Sequence, residues 1–420
     1  MLYYLFQYLE KCRIPGSGMF TYVSFRAVFA IIVALFVSIW FGKKFINFLN
    51  KRNIEETQRD ENTDPFNTQK KGVPTMGGVV IIMAILLPCL LIGKIGNIYM
   101  ILMIVATLIL GAIGFADDYI KTFKKKKDGL NGWIKIAGQV VLGLIVGLTL
   151  RFSPQVVINE KVDVRIENNT EVVVKSPDVK STRTTIPFLK NHNLNYSNLF
   201  NFAGNQWKYI LGWGFFVLIT VLAVAAVSNG SNLNDGMDGM AAGNSAIIGL
   251  TLGFLAYVSS NAITASHFDL MFIPGSEEVV VFLSAFVGAL IGFLWFNSFP
   301  AQIFMGDTGS LTLGGIIAVF AIIIRKELLV PILCGVFFVE ALSVMLQVFY
   351  FKYTKKKTGT GRRIFKMTPL HHHFQKPGNA GIDAIIQKPF NVVPESKIVV
   401  RFWLIGIILA AIAIITLKLR

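Results

Sequence analysis

Acidic side chains are scarce in this chain: 24 Asp and Glu stand against 40 Lys and Arg, a formal charge of +16. On a water-soluble protein that balance would suggest a nucleic-acid partner. No nucleic acid is expected here, because the chain also lacks the periodic apolar stripes by which soluble proteins build a core. Its apolar residues come instead as unbroken runs, such as residues 215–227 and 402–417. Cysteine is scarcer still. Cys12, Cys89 and Cys334 are far apart, and two of them lie inside apolar runs. That spacing excludes a zinc motif and a disulfide framework, and leaves packing as their role. The first twenty residues carry Glu10, Lys11 and Arg13 without a long apolar core, so no cleavable signal peptide is expected. Internal repeats and low-complexity tracts are absent from the sequence.

What is present is 54% hydrophobic sequence. It predicts an all-α polytopic membrane protein, a single integral-membrane domain over residues 1–420. About ten transmembrane helices are expected, at 20–41, 77–93, 98–116, 133–150, 209–228, 240–258, 279–296, 309–324, 328–350 and 399–418. An even count puts both termini on one side. Lysine and arginine crowd the loops after the first, third and ninth spans, including residues 351–398, so those loops are expected in the cytoplasm and both termini in the periplasm. The long segment 151–208 then lies outside. Its alternating stretches on either side of Asn168 and Asn169 predict a small β-hairpin.

Carboxylates at membrane boundaries are costly and mark function. Residues 114–121 (GFADDYIK) close the third span with Asp117 and Asp118, and Lys121 is spaced to pair with either. An acid at a helix C-terminus is disfavoured by the macrodipole, which favours a bound cation. Residues 229–239 (NGSNLNDGMDG) follow the fifth span. Asn232, Asp235 and Asp238 recur there at i, i+3 and i+6, so in a helical turn they would line one face. Residues 304–310 (FMGDTGS) follow the seventh span. Asp307 can hold a hard cation, beside free N–H groups of the next helix that would suit an anion. Phe304 can stack on a base or anchor at the interface.

Residues 367–374 (MTPLHHHF) carry His371, His372 and His373 in a basic loop. Three consecutive residues seldom converge on one ion, so phosphate binding or positioning is favoured over zinc. Lys70 and Lys71, in residues 70–78 (KKGVPTMGG), can hold a pyrophosphate or simply end a positive-inside loop. Glu340 and Gln347 share a helix face and are expected to make helix–helix hydrogen bonds; Arg26 is expected to snorkel outward. By the span order, all the acidic clusters and the histidines fall on one face.

These stretches, with Gly129, Leu130, Lys135, residues 296–310 and residues 400–403, occur in the order of a known family. The chain resembles the phospho-N-acetylmuramoyl-pentapeptide-transferases of the polyprenyl-phosphate N-acetylhexosamine-1-phosphate transferase superfamily, glycosyltransferase family 4. The resemblance implies transfer of a phospho-sugar-pentapeptide from UDP-MurNAc-pentapeptide to undecaprenyl phosphate, giving lipid I and UMP for peptidoglycan. It implies Mg2+, a bacterial inner membrane with the site on its cytoplasmic face, the lipid bilayer as surroundings, and pairing of such bundles as a homodimer. By resemblance Asp117, Asp118 and Asp307 are the catalytic acids. Asp307 is a metal ligand, and Asp117 holds the metal or takes a proton from the lipid phosphate. The implied substrate-binding set is Lys70, Thr75, Lys121, Lys135, Asn232, Asp235, Asp238, Asn297, Phe304, Ser310 and the three histidines. Segment 151–208 is longer than the family's usual outward connection, and residues 378–393 look inserted.

Two competing readings fit the same residues. One is a polyprenyl-phosphate GlcNAc-1-phosphate transferase of the same superfamily. The other, from a different class, is an ion-coupled secondary transporter, against which the boundary position of the acids and the lack of repeats both count.

Overall fold

The computed structural model describes residues 1–52, 72–126, 128–159, 162–167, 170–188, 193–378 and 381–417. Lys70 and the tip of the expected hairpin, Asn168 and Asn169, lie outside these residues.

In chain order the helices are α1 (Leu2–Lys11), α2 (Val23–Lys51), α3 (Gly78–Ile92), α4 (Ile98–Thr122), α5 (Gly132–Phe152), α6 (Gly204–Asn234), α7 (Met240–Ser260), α8 (Ala262–His267), α9 (Glu277–Asn297), α10 (Gly306–Ile323), α11 (Val330–Leu333), α12 (Gly335–Thr358), α13 (Leu370–Gln375) and α14 (Glu395–Thr416). Among the described residues nine are long and apolar enough to cross a membrane: α2, α4, α5, α6, α7, α9, α10, α12 and α14. At 15 residues α3 is shorter, yet it traverses the same slab. Gly78 at its start packs on Gly309, and Lys94 beyond its end donates its backbone N–H to Glu278 at the opposite end of the bundle.

Local chemistry sets the helix ends. Asn97 caps α4 by accepting from the N–H groups of Tyr99 and Met100, and Asn131 caps α5 through Trp133. α12 stops at Gly359, whose φ of +79° suits the left-handed cap, after a last turn of three lysines that favours the helix C-terminus. The core is mostly helical. α10 is buried for nearly its whole length, packed chiefly against α4 and α6, while α9 packs against α2 and α7. All-round hydrophobic helices of this kind belong in the middle of a bundle.

Arg26 does not snorkel. It is 2% exposed and pairs with the fully buried Glu278 at 2.7 Å. An apolar bundle interior leaves an ion no water, so a partner across the core wins over a reach to the surface; removing either member would cost about 3–5 kcal/mol.

The N-terminus and the end of α14 lie on one face, as the even count predicts. The Met1 amino group donates to the carbonyls of Leu90 and Leu91, and Phe188 N–H donates to Thr416 at the end of α14. The same face carries the segment between α5 and α6. It holds β1 (Val162–Glu167) and β2 (Thr170–Lys175), an antiparallel pair in register Val162↔Lys175, which is the expected hairpin. A second antiparallel pair, β3 (Arg183–Thr185) and β4 (Asn193–Asn195), ties down onto the end of α10. There Thr185 N–H donates to the Arg325 carbonyl, and Lys326 Nζ donates to Thr185 Oγ1 at 2.5 Å. On the opposite face, β5 (Arg363–Phe365) and β6 (Ala384–Ile386) pair in parallel and bind the histidine loop to the segment after it.

Candidate active site

At the face away from the termini, α4 and α5 meet the start of α10. Asp117 and Asp118 stand in the last turns of α4, fully and almost fully buried. Asp307 stands in the first turn of α10, 16% exposed. One carboxylate oxygen from each lies within 4.8 Å of the others. Gly114 permits this approach, because a Cβ there would collide with the Asp307 carbonyl.

The three acids have different surroundings. Asp118 accepts from the backbone N–H of Asp307 at 3.0 Å, the N–H of Thr308 at 2.8 Å and the Thr308 hydroxyl at 2.5 Å. It therefore caps the N-terminus of α10 from another helix. The expectation of free N–H groups there is corrected: this carboxylate already occupies the anion position. Thr308 was not singled out from sequence, since nothing local links it to an acid 190 residues earlier.

Asp117 and Asp307 instead converge on cations. Lys135 Nζ lies 2.9 Å from Asp117 Oδ1 and 2.5 Å from Asp307 Oδ2. Lys121 Nζ lies 2.6 Å from Asp117 Oδ2 and 3.3 Å from Asp307 Oδ2. The N–H of Leu130 donates to Asp117 Oδ1 at 2.7 Å, so the loop before α5 is folded onto the acid. Asn232 donates from Nδ2 to Asp307 Oδ1 and to Ser310 Oγ, each at 2.9 Å. The structure thus brings Asp117, Asp118, Asp307, Lys121, Lys135, Asn232 and Ser310 together from α4, α5, α6 and α10.

Thr75 and Phe304 flank each other through backbone pairing. Phe304 N–H donates to the Pro74 carbonyl and Gly77 N–H to the Phe304 carbonyl, both at 2.8 Å. Thr75 is buried, and Phe304 is partly exposed two residues before Gly306.

The single face expected for Asn232, Asp235 and Asp238 does not form. α6 ends at Asn234, Asp235 has left helical geometry, and Gly239 sits at φ +78°. The glycines at 236 and 239 break the helix before a further turn can stack the acids. Asp238 turns away and accepts from Ala301 N–H at 3.0 Å. Asn297 bridges the same loops, donating to the Ile303 carbonyl and accepting from Gly239 N–H. Both side chains brace the loop that carries Phe304.

The three histidines also diverge. His371 is fully buried against Gly236, where any Cβ would strike its Nε2, and its Nδ1 lies 3.3 Å from Glu340 Oε2. His372 is half-buried and meets Gln375 Oε1 through Nδ1 at 2.8 Å. His373 accepts from Lys366 N–H at Nδ1, which leaves Nε2 to donate to the Lys388 carbonyl at 2.8 Å. Burial pushes the His373 pKa down, so the neutral ring is favoured. Glu340 and Gln347 share an inward face of α12; Glu340 makes the expected helix–helix bond, accepting from the His371 N–H of α13 at 3.4 Å, whereas Gln347 does not. Gln347 Oε1 accepts from the N–H groups of Ile364 and Phe365, so α12 grips the histidine loop. A short loop returning over its own helix offers backbone N–H groups that a neighbouring apolar helix lacks.

Three carboxylates and two ammonium groups gathered at one end of the bundle, the lysines and Asp307 partly exposed, can bind a polyanion and a hard cation together. The chain matches the family model for glycosyl transferase family 4 over residues 99–325, which takes in the three acids, Lys121, Lys135 and Asn232. It is 64% identical over 421 residues to the phospho-N-acetylmuramoyl-pentapeptide-transferase of Parabacteroides distasonis, covering all of both chains. The proteins of that name from Phocaeicola vulgatus and Porphyromonas gingivalis are 63% and 59% identical, again over the whole of both chains. End-to-end alignment means that segments 151–208 and 378–393 are not peculiar to this sequence.

Proposed function

The chain belongs to glycosyl transferase family 4, among the phospho-N-acetylmuramoyl-pentapeptide-transferases, and we propose that Asp117 and Asp307 hold the magnesium ion of that reaction while Asp118 sets their position. The activity is transfer of phospho-MurNAc-pentapeptide from UDP-MurNAc-pentapeptide to undecaprenyl phosphate, giving lipid I and UMP for peptidoglycan. The GlcNAc-1-phosphate alternative has no support among relatives this similar.

A single observation carries the metal assignment: Asp117 and Asp307 reach the same ammonium, Lys135 Nζ, at 2.9 and 2.5 Å. Two carboxylates so placed offer hard oxygen donors to one cation, and only two of them would leave positions open for phosphate. Asp118 fits that role poorly, because three donors already hold its oxygens. When bound, magnesium would screen the repulsion between the two anionic phosphates and stabilise charge at the transferring group.

The remaining steps fall to the protein. An oxygen of the lipid phosphate attacks the phosphorus attached to the sugar, and the bond from that phosphorus to the UMP oxygen breaks. A phosphate monoester has a second pKa of about 6, so near neutral pH the nucleophile needs little deprotonation. Asp117 is therefore a ligand rather than a general base. With the cation held by Asp117 and Asp307, Lys121 and Lys135 would be available to pair with the diphosphate, and Asn232 would keep Asp307 oriented. Thr75, Asp235, Phe304 and Ser310 hold the uridine diphosphate side, with Lys70 assigned there by resemblance alone. Asp238 and Asn297 shape the loop beneath Phe304. His372 meets the sugar-peptide or its phosphate, positioned by His371 and His373.

The protein is multi-pass, and we assign its acid face to the cytoplasm of a bacterial inner membrane because the lysine-rich loop after α4 and the last turn of α12 open there. A homodimer remains part of the proposal. The test is UMP release by the purified protein given undecaprenyl phosphate, magnesium and either UDP-MurNAc-pentapeptide or UDP-GlcNAc. Turnover with the first donor alone is expected; equal turnover with the second would overturn the donor assignment.

A further inference from the structure

On the face away from the acids, the segment between α5 and α6 closes a polar bowl of about 250 Å³ that the transfer reaction does not use. It is smaller than the roughly 300–1,000 Å³ of sites that enclose a drug-sized ligand, so it suits a headgroup rather than a nucleotide.

Its floor is fixed. Thr182 Oγ1 donates to Asn195 Oδ1 at 2.7 Å, and Ser197 N–H donates to Thr182 Oγ1 at 3.2 Å. Its charge is positive on two sides. Lys180 Nζ donates to the Arg151 and Phe152 carbonyls at 3.0 and 3.2 Å, which pins the ammonium at the end of α5 with a proton to spare. Lys208, in the second turn of α6, lines the other wall beside Asn205 and Tyr209. Among the described residues neither lysine has a carboxylate partner.

The surroundings place the bowl at a membrane boundary. Phe152 ends α5, and Phe202 and Trp207 flank the start of α6; they are 67%, 84% and 62% exposed. Aromatic rings exposed at the ends of spanning helices sit at headgroup level. Two ammonium groups without a carboxylate partner at headgroup level attract an anion, and the phosphate of a lipid headgroup is the anion such a depth offers.

We propose that this bowl binds the phosphate of an anionic phospholipid in the leaflet opposite the catalytic acids. Lys180 and Lys208 pair with the phosphodiester, Asn205 and Tyr209 donate to the headgroup, and the rings of Phe152, Phe202 and Trp207 flank it at the same level. The segment 151–208 thereby grips both the end of α10, through Thr185 and Lys326, and a lipid.

Native mass spectrometry of the full chain, with phosphatidylglycerol or phosphatidylcholine of identical acyl chains, tests this. The unmodified chain should retain phosphatidylglycerol at least about tenfold better. Lys208→Glu should abolish the preference and Lys208→Arg should keep it, with melting temperature in lipid-free detergent and UMP release unchanged in both. Lys180 is left intact because it caps α5. Equal retention of the two lipids, or an undiminished preference in Lys208→Glu, would overturn the proposal. So would loss of the preference on adding 10 mM inorganic phosphate, which would make free phosphate the ligand.

Discussion

Asp118 accepts the backbone N–H of Thr308 at 2.8 Å, so the last turn of α4 closes the first turn of α10. One membrane helix thus sets the position of another, and Asp307 is held facing Asp117 as a consequence. An acid that would be unfavourable at its own helix end is favourable at its neighbour's N-terminus.

Asp118→Asn keeps an acceptor but loses the charge that three donors share. It is expected to cost about 1–3 kcal/mol, visible as a lower melting temperature in detergent, with turnover falling alongside. An Asp118→Asn protein as stable as the unmodified chain would show that the capping bonds do not hold the site.

On the proposed assignment, Lys135 would compete with the metal for the two carboxylates it now bridges. Lys135→Met should therefore tighten apparent magnesium binding by at least about threefold, since two neighbouring negative charges lose their internal counter-ion. Maximal turnover should drop by about 10² or more, because a donor aimed at the phosphates is gone. A magnesium titration of UMP release gives both numbers; weaker magnesium dependence would contradict the shared-cation geometry.

Direct attack by the lipid phosphate predicts no covalent enzyme intermediate. Incubation with UDP-MurNAc-pentapeptide and magnesium, without undecaprenyl phosphate, should leave the intact protein mass unchanged and release no UMP. A stoichiometric burst of UMP with a phospho-sugar adduct would require an aspartate nucleophile.

His373 ties the histidine loop to the segment after it, and its pKa is depressed in the folded protein. A depressed value means the loop's extra stability is complete above the unfolded pKa of about 6.5 and is lost as pH falls through the lower folded value. Protection of the amides in residues 366–375, taken relative to the intrinsic exchange rate at each pH, should be higher at pH 7.5 than at pH 5, and His373→Gln should remove that difference. Protection independent of pH in the unmodified chain would contradict it.

Much of this site was legible in the sequence, for a physical reason. Aspartates at the ends of apolar runs are costly, so Asp117, Asp118 and Asp307 stood out without any structure, and lysine counts placed them on one face. The partners were not legible. Whether a carboxylate meets a metal, a lysine or a backbone N–H depends on which helix lies beside it, and Thr308 and Glu278 are each far from their partners in sequence. Arg26 was misread for that reason. Asp238 was misread because its spacing assumed a helix that Gly236 and Gly239 terminate. The role of α12 was half legible: the shared face of Glu340 and Gln347 follows from helical spacing, but the loop that folds back onto them does not.

The central claim is that Asp307, with Asp117, holds the divalent ion at which the two phosphates meet. Measuring UMP release by Asp307→Ala across a magnesium titration tests it most directly, with the melting temperature as a check on folding. The account predicts a folded protein whose turnover is lower by about 10³ or more at every magnesium concentration. Magnesium-dependent release near the unmodified rate would contradict it.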